Sequence, residues 1–158
     1  MSGEANLSDD IGNRIVYEDN HLIIVSKNCG EISQGDKTGD ATLGDALKAY
    51  IKIRDSKPGN VFLTPVHRLD RPVSGITVFA KTTKATSRMN ELFRQGKVSK
   101  RYWAITSQRP RLDHDTLVHF LVRNSRQNKS YPGPESARDA KRSELEYQVL
   151  MASDRYFL

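Results

Sequence analysis

One stretch decides how this chain is interpreted: Pro65-Val-His-Arg-Leu-Asp-Arg-Pro-Val-Ser-Gly-Ile-Thr-Val-Phe-Ala-Lys81. Its second half, residues 74–81, is apolar and β-branched, which predicts a strand. Residues 61–66 lead into the quoted stretch, and their pattern predicts a strand or an extended segment. Pro65 has no N–H to donate to a sheet ladder, so a central position in the sheet is disfavoured there.

Asp70 stands between these two extended elements and is flanked by Arg68 and Arg71. A carboxylate beside guanidinium groups stays ionised, so it acts as a nucleophile or an ion-pair partner rather than as a proton donor. On local chemistry alone, a loop salt bridge is the favoured interpretation of this residue.

Outward from this stretch, the pattern predicts a leading hairpin, two helices and further strands. Thr42 and Asp45 have the spacing of a helix capping box, and a second helix is predicted over residues 83–95. Residues 28–41 and 123–142 are interpreted as loops because they are polar and rich in glycine or proline. The strands are predicted over residues 14–18, 21–27, 98–106, 116–122 and 143–150.

Length and composition favour one domain. The chain has 158 residues, so residues 14–158 are expected to form the domain, after a flexible polar lead of residues 1–13. The N-terminus lacks a basic segment followed by an apolar one, which leads us to expect a cytoplasmic protein. Cys29 is the single cysteine, which excludes an internal disulfide and a multi-cysteine zinc site.

Positive charge is concentrated in the second part of the chain. Residues 61–158 hold 18 Lys and Arg against 9 Asp and Glu, whereas residues 1–60 hold 7 against 10. Such a field attracts phosphate groups. Charge alone gives nucleic-acid binding and a solvated basic face about equal support.

Metal and nucleotide chemistry find little support in the sequence. The four histidines do not have metal-ligand spacing, and His114 and His119 fall on opposite faces of a predicted strand. The glycine-rich residues 35–40 lack a complete phosphate-binding pattern. We therefore expect no metal and no cofactor.

The chain resembles the RluA family of RNA pseudouridine synthases. His67-Arg-Leu-Asp70, then Ser74-Gly75, then Ala80-Lys81 match the catalytic motif of that family in order and spacing. Downstream, Phe93 and Val98-Ser-Lys-Arg-Tyr-Trp-Ala104 match its F-x(4)-V-x-K-x-Y-x-A pattern, and upstream residues 17–27 are similar to its opening strand pair.

The resemblance implies a fold, an activity and a set of site residues. The fold would be α+β, with a mixed, mainly antiparallel sheet and a few flanking helices. The activity would be the conversion of uridine in RNA to pseudouridine without a cofactor. Asp70 would be the catalytic carboxylate, acting as nucleophile or as the trigger of glycal formation, and Tyr102 would stack on the base and accept the proton from carbon 5.

The family also implies how RNA would be held. Arg68 would occupy the space that the flipped uridine vacates, and the remaining RNA contacts would come from His67, Arg71, Lys81, Lys100 and Arg101. Trp103 alternates with Tyr102 along the predicted strand, so we expect it to face the other way and pack in the core.

Two departures from the family pattern leave alternatives open. The chain has Lys27-Asn-Cys-Gly30 where relatives carry Lys-Pro-x-Gly. It also ends at Leu158, before the family's Thr-Gly-Arg motif, whose arginine pairs with the catalytic aspartate. We therefore expect the N-terminal portion of a synthase, and the alternatives are a non-catalytic basic RNA-binding module or an inactive fragment. Ribosomal and transfer RNA both remain open as the substrate.

Overall fold

A computed structural model describes residues 11–33, 35, 39–127 and 129–158. The chain divides into two compact units, the first ending at Ser99 and the second beginning at Lys100. Each unit is described by itself. Together they contain short helices and antiparallel sheets, which confirms the predicted α+β class with mainly antiparallel pairing.

The first unit is built on a four-stranded antiparallel sheet in the order β1-β2-β4-β3. Its strands are Ile15–Glu18 (β1), Leu22–Lys27 (β2), Thr64–Pro65 (β3) and Gly75–Ala80 (β4). The hairpin between β1 and β2 turns at Asp19, whose Oδ1 accepts from the backbone N–H groups of His21 and Leu22, both at 2.7 Å. Pro65 lies on the edge strand, as its missing N–H requires.

Two helices accompany the sheet: Leu43–Arg54 (α1) and Thr83–Arg94 (α2). The predicted capping box of α1 is present, because Asp45 N–H donates to Thr42 Oγ1 at 3.1 Å and Thr42 N–H donates to Asp45 Oδ2 at 3.2 Å. These bonds satisfy amide groups that the first helical turn leaves without partners. Thr82 caps α2 with a single bond, its Oγ1 accepting from Ala85 N–H at 3.1 Å.

The sheet of the first unit has a buried cluster on each face. Successive side chains of a strand point to opposite faces. Phe79 therefore joins the cluster that includes Ile23, Leu47 and Ile51, while Ala80 joins the one that includes Ala85. Ile11 is fully buried in the first cluster and begins a short 3-10 helix, Ile11–Arg14. Residues 1–10 of the predicted lead lie outside the described residues.

The second unit contains a three-stranded antiparallel sheet in the order β6-β5-β7. Its strands are His114–Asn124 (β5), Lys129–Gly133 (β6) and Lys141–Gln148 (β7). The predicted loop over residues 123–142 is therefore wrong in part, because β6 pairs with β5 from Phe120↔Gly133 to Asn124↔Lys129. The sequence of β6 is polar and contains proline, so it lacks the apolar alternation that predicts a strand. The strand forms through its backbone pairing with β5.

The predicted strand over residues 98–106 is also wrong. Only Thr106 is paired, in an isolated antiparallel bridge with Phe157. The expectation that Trp103 packs in the core fails with it, since 83% of this residue is exposed. A strand pattern needs a partner strand, and none in the described part of the chain pairs with residues 98–105. In the same described part, no helix is long and apolar enough to cross a bilayer.

Candidate active site

Asp70 lies on a tight turn between β3 and β4. Residues 70–73, here called the Asp70 turn, close through a bond of 3.0 Å from Val73 N–H to the Asp70 carbonyl. The Asp70 residue is exposed, and its carboxylate makes no hydrogen bond or ion pair with the described residues. The turn therefore presents a carboxylate to solvent, and no cation in the described part of the chain pairs with it.

The Asp70 turn is supported from below by a fully buried lysine. Strand β2 alternates so that Lys27 follows Ile23 and Val25 on the core face, and all three are 0% exposed. The Lys27 Nζ donates to the carbonyls of Asp70 at 3.2 Å, Arg71 at 3.4 Å and Asn28 at 3.1 Å. It also donates to the carbonyl of Val73. One buried ammonium group thus binds three of the four carbonyls of the turn.

The loop that follows β2 holds the same turn from the side. Gly30 N–H donates to the Arg71 carbonyl at 2.8 Å, and Arg71 Nε donates back to the Gly30 carbonyl at 3.1 Å. The buried Ser33 Oγ donates to the Leu69 carbonyl at 3.1 Å and accepts from Leu69 N–H at 3.4 Å. Gly30 has φ +89°, a conformation that side-chain-bearing residues rarely adopt.

An ion pair holds the loop that follows β2 in place. Arg14 Nη1 donates to Glu31 Oε1 at 2.8 Å, and Arg14 Nε donates to the Ser26 carbonyl at 3.0 Å. Glu31 Oε2 accepts from Asn28 N–H at 2.8 Å. The side chains of Arg14 and Glu31 are only 9% and 15% exposed, so the pair is largely shielded from water. It connects the 3-10 helix Ile11–Arg14 to the loop that holds the Asp70 turn.

The basic residues predicted to meet RNA in the first unit have different surroundings. Arg68 is exposed and has no partner among the described residues. Arg71 is exposed but its Nη1 binds Asp40 Oδ2 at 3.1 Å. His67 packs inward: its Nε2 accepts from Val78 N–H at 3.2 Å, and its ring centre lies 5.6 Å from that of Phe93.

Lys81 is engaged in an internal ion pair rather than displayed to solvent. Its Nζ lies 2.6 Å from Glu18 Oε1 and donates to the Asp19 carbonyl at 2.8 Å. Arg54 binds the same Glu18 carboxylate at 2.6 Å. The hydrogen bond from Arg54, followed by that from Lys81, lowers the pKa of Glu18 from 4.5 to about 2. Lys81 is thus held by an internal ion pair, and the RNA contact predicted for it stays a prediction.

The other predicted site residues belong to the second unit. Lys100, Arg101 and Tyr102 lie in the irregular segment before β5, and all three are exposed, Tyr102 by 61%. The site predicted from the sequence is therefore divided between the two units. Each half of the site is considered within its own unit. The contacts that position a reactive group are those around the Asp70 turn.

Sequence reasoning missed Lys27 and Ser33 as parts of the site. Lys27 could have been found, because it falls in phase with the buried positions Ile23 and Val25 on a predicted strand. A lysine at such a position must find partners inside the protein. Ser33 gives no such signal in a polar loop. Among the described residues, no group of His, Cys, Asp or Glu side chains could hold a metal ion.

Comparison with known proteins places the chain beside enzymes that modify RNA. A family model described as RNA pseudouridylate synthase matches residues 21–156. The ribosomal large subunit pseudouridine synthase C of Buchnera aphidicola subsp. Acyrthosiphon pisum (strain APS) is 36% identical over 100 residues, which cover 63% of this chain and 30% of that protein. The tRNA pseudouridine synthase C of Haemophilus ducreyi is 38% identical over 91 residues, covering 58% of this chain and 35% of that protein.

A solved structure has the same fold. The human RNA pseudouridylate synthase domain containing 4 protein superimposes with a TM-score of 0.79 at 24% identity, over 96% of this chain and 59% of the human chain. The human domain containing 1 protein gives a TM-score of 0.68 at the same identity. The chain spans about a third of the length of the curated relatives named above.

Proposed function

Because the chain belongs to the RNA pseudouridylate synthase family, we propose that the full-length protein converts specific uridines in RNA to pseudouridine. The observation that carries this proposal is the exposed carboxylate of Asp70 on a turn fixed by Lys27, Gly30 and Ser33. A carboxylate held in place at the surface can meet a base that has left its stack, which is how enzymes reach a single base in folded RNA.

The reaction is an isomerisation, so it needs no external reactant. The bond from N1 of the uracil to C1′ of the ribose breaks, the base turns, and a bond from C5 to C1′ forms. N1 gains a proton and C5 loses one. Asp70 serves this sequence either by attacking C1′ or by removing a ribose proton to give a glycal, and both roles require the ionised carboxylate.

Tyr102 and the basic side chains complete the proposed site. Tyr102 stacks on the uracil and takes the proton from C5, in keeping with its exposed ring. Arg68 fills the space left by the flipped uridine, which its exposed guanidinium is free to do. Arg71, Lys100 and Arg101 supply phosphate contacts, which position RNA without reading its sequence. The cytoplasmic location stays a prediction from the sequence.

The class of RNA has two candidates. One similar protein is named for the large ribosomal subunit and another for transfer RNA. The proposal therefore covers both, and the assay below uses RNA that contains both.

A second candidate function is RNA binding without turnover. It is favoured by one observation, that the Asp70 carboxylate has no cationic partner among the described residues. An unpaired carboxylate is positioned by its backbone alone, which is a weaker constraint on the geometry of attack.

The test is the substitution Asp70→Asn in the full-length gene product. It keeps the size of the side chain and removes the charge and the attacking oxygen. We expect the single-turnover rate of pseudouridine formation in unmodified cellular RNA to fall by several orders of magnitude, while the Kd for RNA is unchanged or lower.

Asp154→Asn is the matched control, since it removes the same charge from an exposed residue of the second unit. It should leave the rate unchanged. A rate for Asp70→Asn within about tenfold of the wild type would end the catalytic assignment. RNA binding by a wild-type protein that makes no pseudouridine would favour the second candidate.

A further inference from the structure

The end of the β5–β6 hairpin carries positive charge without any acidic neighbour in sequence. Here called the hairpin tip, it comprises residues 123–127 and 129–131 and includes Arg123, Arg126 and Lys129. No Asp or Glu occurs from residue 116 to residue 134. All three cationic residues are exposed. An exposed cluster of charges of one sign attracts polyanions.

Hydrogen bonds connect the described residues of the hairpin tip to one another. Asn124 Oδ1 accepts from the backbone N–H groups of Arg126 at 3.1 Å and Gln127 at 3.2 Å. Asn124 Nδ2 donates to Gln127 Oε1 at 3.3 Å, and Tyr131 Oη donates to the same oxygen at 2.7 Å. These contacts engage the Asn124 side chain and the Gln127 Oε1 within the tip itself. The exposed side chains of Arg126 and Lys129 and the half-exposed Tyr131 ring are available to an outside partner.

An aromatic ring lies on a concave surface at this tip. Tyr131 is 45% exposed and pairs across the hairpin with Val122. The concavity has a volume of about 560 Å³ and opens widely to solvent. Its lining includes both arginines of the tip together with Tyr131, Pro132 and Gly133. Gly133 packs closely on this surface, because an added Cβ there would lie 3.1 Å from Val122 Cγ2.

We propose that the hairpin tip is a docking surface for RNA, at which one unstacked base lies on the Tyr131 ring and the flanking phosphates meet Arg126 and Lys129. The inference rests on the proposed function and adds a second point of contact with the same RNA. Stacking on aromatic rings and pairing of phosphates with Lys and Arg are the two devices by which proteins hold single-stranded RNA. The tip places both within one small surface.

The charge contribution is tested with the double variant Arg126→Ala/Lys129→Ala in the full-length protein. The Kd for unmodified cellular RNA is measured at several salt concentrations, together with the single-turnover rate at saturating RNA. We expect the Kd to rise at least tenfold at low salt. The slope of log Kd against log salt should fall by about 1.4, because two fewer counterions are released from single-stranded RNA. The saturating rate should stay within about twofold of the wild type.

The ring is tested separately with Tyr131→Ala and Tyr131→Phe. Loss of the ring should raise the Kd by about tenfold without changing the salt slope, since stacking releases no counterions. Tyr131→Phe keeps the ring and loses only the bond to Gln127, so it should bind nearly as the wild type does. Equal losses in both variants would overturn the stacking role.

Arg138→Ala is the matched control, because the Arg138 side chain is 97% exposed and lies outside the hairpin tip. A double variant with the Kd and salt slope of this control would overturn the inference. So would a loss of saturating rate in the double variant. The inference and the proposed function are contradicted by different results. Normal RNA binding by the hairpin variants would contradict only the docking surface. Normal turnover by Asp70→Asn would contradict the catalytic assignment.

Discussion

The two units of the chain differ in how their strands are supported. In the first unit, side chains of β2 and β4 are fully buried on both sheet faces, with Ile23 and Phe79 on one face and Ala80 on the other. In the second unit, no described residue from Lys100 onward is buried. Asp70 belongs to the first kind of structure and Tyr102 to the second. The carboxylate of the predicted site is therefore carried by a turn with a buried support, whereas the tyrosine lies on an exposed segment of the described chain.

The contrast has a simple physical origin. Helices α1 and α2 contribute side chains to the two clusters of the first unit, so its apolar residues leave water. The three strands of the second unit pair well through their backbones, yet Leu117 and Leu145 on that sheet stay 36% and 55% exposed. Backbone pairing without burial adds little net stability, since the same groups bond to water in the unfolded chain.

The largest expected effect on stability is that of Lys27→Met, which removes the buried ammonium group that bonds to the Asp70 turn. Methionine keeps the length of the side chain but leaves four carbonyls without the ammonium donor. We expect the free energy of unfolding of the first unit to fall by about 3 kcal/mol or more. Hydrogen exchange should accelerate in β2 and β4 and stay unchanged in β5, β6 and β7.

Lys52→Met is the matched control for this prediction, because Lys52 lies exposed on α1. It should change the free energy of unfolding by no more than about 0.5 kcal/mol. If Lys27→Met behaves like Lys52→Met, the buried ammonium group does not support the turn.

An intermediate effect on the free energy of unfolding is expected when the pH is lowered. It arises from Glu18 in the first unit. Its pKa is lowered to about 2 by the bonds from Arg54 and Lys81, against an ordinary value of 4.5. The stabilisation is complete above about pH 4.5 and is lost as the pH falls toward 2, because the unfolded chain takes up the proton first. We expect a loss of about 1 kcal/mol over this window.

Urea unfolding of the wild type and Glu18→Gln between pH 6 and pH 2.5 isolates this contribution. The difference in unfolding free energy between them should shrink as the pH falls. Asp45, whose pKa is also lowered, titrates in both proteins and cancels in the difference. A difference that is constant across the whole range would contradict the assignment.

The smallest effect is expected for Trp103→Ala in the second unit. With 83% of Trp103 exposed, its removal forfeits little packing, and the free energy of unfolding should change by less than about 0.5 kcal/mol. Phe79→Ala is the paired substitution in the first unit, where a fully buried ring is lost at a cost of about 3–5 kcal/mol. Equal losses for the two aromatic residues would remove the contrast between the units.

Much of the first unit could be predicted from local sequence. The capping box of Thr42 and Asp45 and the turn at Asp19 depend on neighbours within three residues, and both are present. The edge position of Pro65 follows from a single missing donor. The motif that resembles the RluA family points to Asp70, and its role as the catalytic residue stays a prediction.

Other features depend on contacts between distant residues and gave no local signal. Ser33 bonds Leu69 across 36 positions of sequence. The strand predicted over residues 98–106 had the right pattern but found no partner among the described residues, whereas β6 had a poor pattern and found one in β5. Pairing is a property of two segments, so one segment read alone cannot establish it.

The lysine beneath the Asp70 turn also has a consequence for the order of folding. Lys27 and the carbonyls of Asp70 and Val73 are separated by 43 and 46 positions. Contacts over such separations are slow to form, because the chain must first lose the entropy of closing a long loop. The pairing of β2 with β4 closes a loop of similar length and brings Lys27 to the turn, so the turn acquires its support together with that pairing. A nascent or partly folded chain carries the same residues but not the platform, so maturation of the candidate site is tied to completion of the fold.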